Sequence, residues 1–204
     1  MMHPVAFMRS ILIAAVLAVM AAPPAMALTP AETFISDNIH QGLDVLNNKA
    51  LSDDQRRTQF QNFLLGMTDM QRIATFTLGP YSAKAAQTDR DAFAQAFKNY
   101  ALAAYQSYFS KYAGQTLTVT GSTAHGADDF VVATLLVDSR GGQPLQVDFR
   151  VRTDTGHPVL VDFSVAGVWL ALEERDQFVA FLDQNGGSVP LLISHLHDLA
   201  QRQN

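Results

Sequence analysis

The clearest β-strand in this sequence is Leu145-Gln146-Val147-Asp148-Phe149-Arg150-Val151-Arg152. Apolar and polar side chains alternate along it, as they do in a strand with one face against a core and the other in water. The phase predicts that Val147, Phe149 and Val151 point inward, and that the two arginines point outward.

Neighbouring segments continue the strand pattern on both sides of this stretch. Leu117 and Val119 alternate with threonines, Asp129 to Asp138 is almost continuously apolar, and Val159 to Val165 alternates again. Short glycine-containing turns separate the last three segments. Consecutive strands joined by short turns predict an antiparallel meander with one apolar face.

Helix signals precede and follow the strands. The three clearest helix starts are N-cap residues, the first two within capping boxes: Thr29, Ser52 and Asp69. Helical periodicity then predicts a long helix before the strands and two helices after them, over about 88–112, about 172–185 and from 188 onward. The predicted class is α+β, a curved antiparallel sheet of about four to five strands packed against helices that precede and follow it.

Residues 1–27 have the pattern of a secretory signal peptide. A short start with Arg9 precedes an apolar run from Ile11 to Ala22, and Ala25-Met26-Ala27 is a small-x-small cleavage site. The apolar run is shorter than the roughly 20 residues needed to span a bilayer, which favours cleavage after Ala27 over an uncleaved membrane anchor. Residues 28–204 then form one mature domain, expected in the periplasm.

The composition excludes several functional classes. The chain of 204 residues has no cysteine and a formal net charge of −5. Without cysteine there are no disulfides, thiol nucleophiles or thiolate metal sites. The acidic balance argues against nucleic-acid binding, which needs clustered positive charge.

Candidate catalytic groups are few. His195 and His197 lie two residues apart on a predicted helix, so they point to different faces and cannot share a metal. Asp148 and Asp162 lie on the polar phase of their strands and are expected to face water or a partner. The sequence therefore predicts neither a catalytic acid–base pair nor a metal site.

Five segments, in order, resemble the MlaC family of periplasmic lipid carriers, also called toluene-tolerance (Ttg2-type) auxiliary proteins. They are Phe63–Tyr81, Asp91–Gln115, Val147–Arg152, Val161–Val168 and Arg175–Gly187. Each is weak alone, but their order and spacing cover most of the mature chain. The family includes a hopanoid-associated branch, HpnM.

The resemblance implies a carrier that is not an enzyme and needs no cofactor. An apolar pocket between the sheet and the helices would hold the acyl chains of a phospholipid or related lipid. The protein would shuttle this lipid between the inner and outer membranes as the soluble component of an ABC-type transport system. The implied partners are an inner-membrane lipid ABC transporter, through its MCE-domain subunit, and an outer-membrane lipoprotein complex.

The expected pocket lining consists of apolar residues on the inward strand phases, on the helices, and beside the turn at Gly167. These residues are Met67, Met70, Phe97, Tyr100, Tyr105, Val147, Phe149, Val151, Val161, Phe163, Val165, Val168, Trp169 and Leu172. By family analogy, the outward-facing Arg150 and Arg152 are expected to help dock an acidic partner surface.

Three alternative functions stay open at this point. The ligand could be a hopanoid or another polycyclic lipid, and the bulky Trp169 points weakly in that direction. The chain could instead be a periplasmic enzyme on an isomerase-like curved-sheet fold. It could also be a protein-binding scaffold with a filled core, which would purify without lipid.

Overall fold

The computed structural model describes residues 27–109, 114–138 and 140–202, with side chains for all of these except 105–109. The predicted signal peptide, apart from Ala27, and the side chain of Tyr105 therefore lie outside the described residues. Within them, the helices are α1 (Pro30–Asn47), α2 (Asp53–Met67), α3 (Met70–Thr77), α4 (Gln87–Phe109), α5 (Leu170–Gln184) and α6 (Val189–Arg202), with a 3-10 turn at Gly79–Tyr81.

Hydrogen bonds confirm the three predicted helix starts. The Thr29 hydroxyl accepts from the backbone N–H of Glu32, whose carboxylate accepts in turn from the backbone N–H of Thr29 at 2.7 Å. Ser52 makes the same reciprocal pair at the start of α2. Asp69 accepts from the backbone N–H of Arg72 at 3.0 Å and caps α3. These side chains satisfy N–H groups that have no partner within the helix, and so fix where each helix begins.

The sheet is an antiparallel meander, and the predicted α+β class is confirmed. Its strands lie in sequence order: β1 (Thr116–Gly126), β2 (Asp129–Val137), β3 (Leu145–Arg152), β4 (Val159–Val165) and β5 (Val168–Trp169). Phe149 on β3 lies opposite Val132 on β2 and Phe163 on β4. Since side chains alternate along each strand, these residues share one side of the sheet, called the apolar face below. Asp148 lies opposite Ser164 on the other side, the polar face.

Hydrophobic side chains form two clusters. The sheet core joins α1 to the apolar face through Ala31, Ile35, Val132, Val151 and Leu160. The helical core joins α3, α4, α5 and α6 through Ala74, Leu78, Phe93, Ala94, Ala96, Phe97, Phe178, Leu182, Val189, Leu192 and Leu196.

The two cores meet at the edge of β4. Thr68 forms a bridge with Leu160, and the backbone N–H of Asp69 donates to the Leu160 carbonyl at 3.1 Å. The residues that join α2 to α3 are thereby fixed to the sheet. This places the helical core beside the β4 edge, while α1 covers the apolar face.

Candidate functional site

The predicted lining residues are divided between the two cores. Those in or against the sheet core are Met67, Phe149 and Val151, and those in or against the helical core are Met70, Phe97 and Tyr100. Only Thr68 and Asp69 separate Met67 from Met70 in the chain. The boundary between the cores, called the seam below, therefore runs past the start of α3.

Three of the predicted lining residues are almost completely buried. Val151 has no exposed surface, and Phe97 and Val147 are 4% and 8% exposed. Such side chains are enclosed by their neighbours and fill the interior. Val151 belongs to the sheet core and Phe97 to the helical core, and all three side chains have little accessible surface. Their assignment to the pocket lining stays a prediction.

A smaller group of predicted residues forms one accessible apolar surface. The rings of Phe149 and Phe163 stack on the apolar face with their centroids 6.3 Å apart, and both are half-buried. Val165 lies next to Val147 in the register and is also half-buried. Phe149, Phe163 and Val165, called the apolar strip below, are the part of the predicted site that the structure brings together. Val161 is half-buried where the β3–β4 register shifts.

The residues around the Gly167 turn divide between the two faces of the sheet. Trp169 pairs with Ser164 and therefore lies on the polar face. Val168 pairs with Val165 of the apolar strip, lies on the apolar face and is 52% exposed. Leu172, in the first turn of α5, is 44% exposed.

Glu174 is a half-buried carboxyl group that sequence reasoning missed. Its Oε1 accepts from the Tyr100 hydroxyl at 2.8 Å, while its buried Oε2 has no hydrogen-bond partner. Burial raises the pKa of this carboxyl, and the hydrogen bond from Tyr100 opposes the rise. The sequence did carry a signal: Glu174 lies four residues from both Leu170 and Phe178, on the inward side of α5.

We expect the substitution Glu174→Gln to stabilise the protein at pH 8 by about 1 kcal/mol, after allowance for partial exposure. The pKa of Glu174 is higher in the native state than in the unfolded state. Its contribution to stability is therefore fully present below the unfolded pKa and is lost as the pH rises through the native pKa. A neutral amide avoids that loss. Urea denaturation at pH 4 and pH 8 measures the difference, which should vanish at pH 4.

The matched control is Glu173→Gln, because Glu173 is exposed on the preceding residue of the same helix. Its free energy of unfolding should differ little from that of the wild type at either pH. An equal gain from Glu174→Gln at both pH values would contradict the assigned cause.

Asp162 lies on the polar face as predicted, opposite Arg150, but it is half-buried rather than open to water. Its Oδ1 accepts from the backbone N–H of Phe163 at 2.8 Å and from that of Ala171 at 2.9 Å. The second bond caps the start of α5, whose own N-cap residue, Trp169, has no side-chain acceptor. Burial raises the pKa of Asp162, although these two hydrogen bonds and the nearby Arg150 each act to lower it. Asp162 is therefore a structural group that positions α5 against the sheet.

Arg150 and Arg152 take part in a chain of ion pairs. Arg150 makes a bidentate pair with Asp129, at 2.6 and 3.0 Å. Arg152 contacts Asp129 at 3.4 Å and Asp154 at 2.9 Å, and Asp154 also binds Arg72 of α3 at 2.7 Å. The chain ties α3 to the turn between β3 and β4. The Arg150 side chain is 46% exposed, so part of it is still accessible to a partner.

Two surface recesses lie away from these residues. One, of about 580 Å³, lies between α1 and α2 against Asp44 and Phe63. The other, of about 460 Å³, lies between Tyr81 and Gly187. Neither is lined by a predicted pocket residue.

Within the described part of the chain, no three potential ligands cluster as a metal site would require. Across the same residues, no helix has the length and hydropathy of a membrane-spanning segment.

Comparisons with known proteins agree with this architecture. A structure of the phospholipid-binding protein from Ralstonia solanacearum, solved in complex with a phospholipid, matches this fold with a TM-score of 0.76 at 18% sequence identity. The match covers 86% of this chain and 99% of that chain. A family model described as MlaC protein matches residues 36–198. Because this match spans well over half of the sequence, the chain belongs to the MlaC family.

Proposed function

We propose that this protein carries a glycerophospholipid with its acyl chains against the apolar strip on the apolar face of the sheet. The observation that carries the proposal is the half-buried, stacked pair Phe149–Phe163, on a sheet whose neighbouring core residues are fully enclosed. Apolar rings with accessible area suit a ligand that is itself mostly hydrocarbon. The Ralstonia protein of the same fold was solved with a phospholipid, which supports this choice of ligand.

A carrier is needed because acyl chains cross water very slowly unaided. At about 0.8 kcal/mol per CH₂, the roughly 30 methylenes of two acyl chains cost on the order of 20 kcal/mol to expose. The protein must offset this cost without holding the lipid so tightly that release stalls. A mostly apolar lining with few polar groups meets both demands, and carriage itself requires no catalytic residue.

The proposal places the mature protein in the periplasm after removal of residues 1–27. There it would move lipid between the inner and outer membranes. The proposed partners are the MCE-domain subunit of an inner-membrane lipid ABC transporter and an outer-membrane lipoprotein complex. The Arg150 and Arg152 side chains, 46% and 31% exposed, would contribute to docking an acidic surface on one of them.

Native mass spectrometry of protein purified from periplasm without detergent tests ligand carriage. We expect one glycerophospholipid per chain, identified again after solvent extraction. The substitution Phe163→Asp should lower the occupancy by about tenfold or more, because it places a charge against the acyl chains. The control Phe76→Asp makes the same change at an exposed position on α3 and should keep full occupancy, with circular dichroism confirming that both variants are folded.

Other outcomes would redirect the proposal. A polycyclic lipid of hopanoid mass would replace phospholipid as the cargo. Protein that is empty when isolated and stays empty after incubation with mixed liposomes would refute the carrier function. The scaffold and enzyme alternatives would then be tested instead.

A further inference from the structure

The two ends of the sheet differ in chemistry. Where β3 ends and β4 begins, the surface carries the ion pairs of Asp129 and Asp154 with their arginines. Where β2 and β4 end and β3 begins, large apolar side chains are between 37% and 52% exposed: Leu135, Val137, Leu145 and Val168. Leu135 and Val137 lie on the polar face, whereas Leu145 and Val168 lie on the apolar face. These four residues are called the apolar end below.

The hairpin at the apolar end carries no charge over nine residues. Ser164 to Leu172 has no Asp, Glu, Lys, Arg or His, and it contains Trp169, the only tryptophan of the chain. The nearby loop has one charged pair, Asp138 with Arg140 at 2.6 Å, whose charges offset each other. Exposed apolar side chains grouped on both faces at one end of a sheet offer an interaction site, and tryptophan is enriched at membrane–water interfaces.

The turn of this hairpin uses a residue that its backbone geometry disfavours. Ala166 and Gly167 both have positive φ, 52° and 85°, as a two-residue type I′ turn requires. Asparagine tolerates this conformation better than alanine and is also more soluble at an exposed tip. Alanine at this position adds apolar surface to the exposed tip, which suits contact with an apolar phase.

We propose that the apolar end inserts shallowly into the surface of a zwitterionic lipid bilayer during lipid exchange. Insertion would be driven by apolar contact, because the chain is acidic overall and Glu173 and Asp176 follow the hairpin closely; attraction to anionic headgroups would not help. The inference rests on the proposed carrier function, because lipid exchange is the process that insertion would serve. The exposed residues that would insert are observed independently of that function.

Vesicle flotation of the mature chain with phosphatidylcholine liposomes tests the proposal. We expect the protein to float with the vesicles at both physiological and high salt, since apolar insertion is little screened. The fluorescence of Trp169 should shift to shorter wavelength at the same time. Because the chain has one tryptophan, this signal reports on the hairpin itself.

Two substitutions at equally exposed valine and leucine positions locate the contact. Val168→Asp should weaken flotation by about tenfold, because it places a charge at the inserted surface. Leu191→Asp is the matched control, since Leu191 on α6 is likewise 52% exposed, and it should float like the wild type. Equal flotation of the two variants would overturn the proposal. A wild-type protein that does not float would also overturn it, and would instead indicate a protein partner for this surface.

A third variant separates membrane contact from folding. Ala166→Asn should raise the melting temperature, since it relieves the turn, and yet weaken flotation. A variant that lost both stability and flotation would count against the proposal.

Lipid occupancy of Leu135→Asp, loaded from detergent-dispersed phospholipid, separates the two hypotheses, because Leu135 lies on the polar face, away from the apolar strip. We expect this variant to keep full occupancy and to float less than the wild type. If neither the wild type nor the variant holds lipid, the carrier function fails, while flotation still decides the membrane contact. If Leu135→Asp loses the lipid together with flotation, the membrane proposal is wrong.

Discussion

Replacement of Phe93 by alanine should destabilise the protein by about 3–5 kcal/mol, the usual cost of emptying a buried aromatic position. Phe93 has no exposed surface. Its ring lies 6.1 Å from that of Phe97 in a stacked arrangement and 6.0 Å from that of Phe178, edge to face. The substitution therefore removes hydrophobic burial and two favourable ring contacts together. Urea denaturation followed by circular dichroism measures the change in the free energy of unfolding.

Phe76→Ala is the matched control for this substitution. Phe76 is 38% exposed on α3 and packs beneath the guanidinium of Arg175, 5.1 Å from its ring. Its removal should cost about 1 kcal/mol, mostly from the cation–π contact. Equal losses from the two variants would mean that the helical core does not depend on Phe93 as the geometry requires.

The same experiment tests whether the two cores unfold together. The bridge between Thr68 and Leu160, and the hydrogen bond from Asp69, join the cores at the β4 edge. A single unfolding transition is therefore expected for both wild type and Phe93→Ala. Two separate transitions in the variant would show that the seam is a weaker connection than these bonds suggest.

The secondary structure was largely predictable because its signals are local. The alternation from Leu145 to Arg152 predicted β3, and the capping residues Thr29, Ser52 and Asp69 predicted three helix starts that the hydrogen bonds confirm. Each signal needs only residues within a few positions of one another.

The site was harder to predict because its geometry depends on distant contacts. Alternation placed Val151 and Phe149 on one face, but it could not show that α1 encloses Val151 while Phe149 keeps accessible area. Trp169 was assigned to the pocket because it follows Gly167, yet its pairing with Ser164 places it on the polar face. The polar phase of Asp162 suggested a solvent-facing group, whereas α5 folds back so that Ala171 donates to it.

The resemblance to the MlaC family contributed what local patterns could not. It indicated an apolar site between the sheet and the helices, and the family match over residues 36–198 confirms membership. It did not indicate that the helices form a core of their own beside β4. That division follows from the packing of Phe178 against Phe93 and Phe97 rather than against the sheet.

Replacement of Asp129 by asparagine should destabilise the protein by about 2 kcal/mol at pH 7. Asp129 is buried and accepts a bidentate pair from Arg150, with Arg152 3.4 Å away. Asparagine keeps the shape but removes the charge, and its amide hydrogens meet two guanidinium groups that cannot accept them. Loss of one partner from a buried pair usually costs 3–5 kcal/mol, and the exposure of Arg150 reduces this to the smaller figure of about 2 kcal/mol.

The pH dependence of this loss identifies its cause. The hydrogen bonds from Arg150 hold the pKa of Asp129 below its ordinary value, so the stability that the pair contributes is present above the unfolded pKa and is lost as pH falls through the native pKa. The difference in the free energy of unfolding between wild type and Asp129→Asn, measured by urea denaturation from pH 7 downward, should therefore become smaller below about pH 4. Asp53→Asn removes a carboxylate that is 96% exposed beside Arg56, and it should have little effect at any pH. Protonation of the wild-type carboxyl removes the same charge that the substitution removes. If the difference in the free energy of unfolding stayed constant with pH, the destabilisation of Asp129→Asn would therefore come from packing rather than from charge.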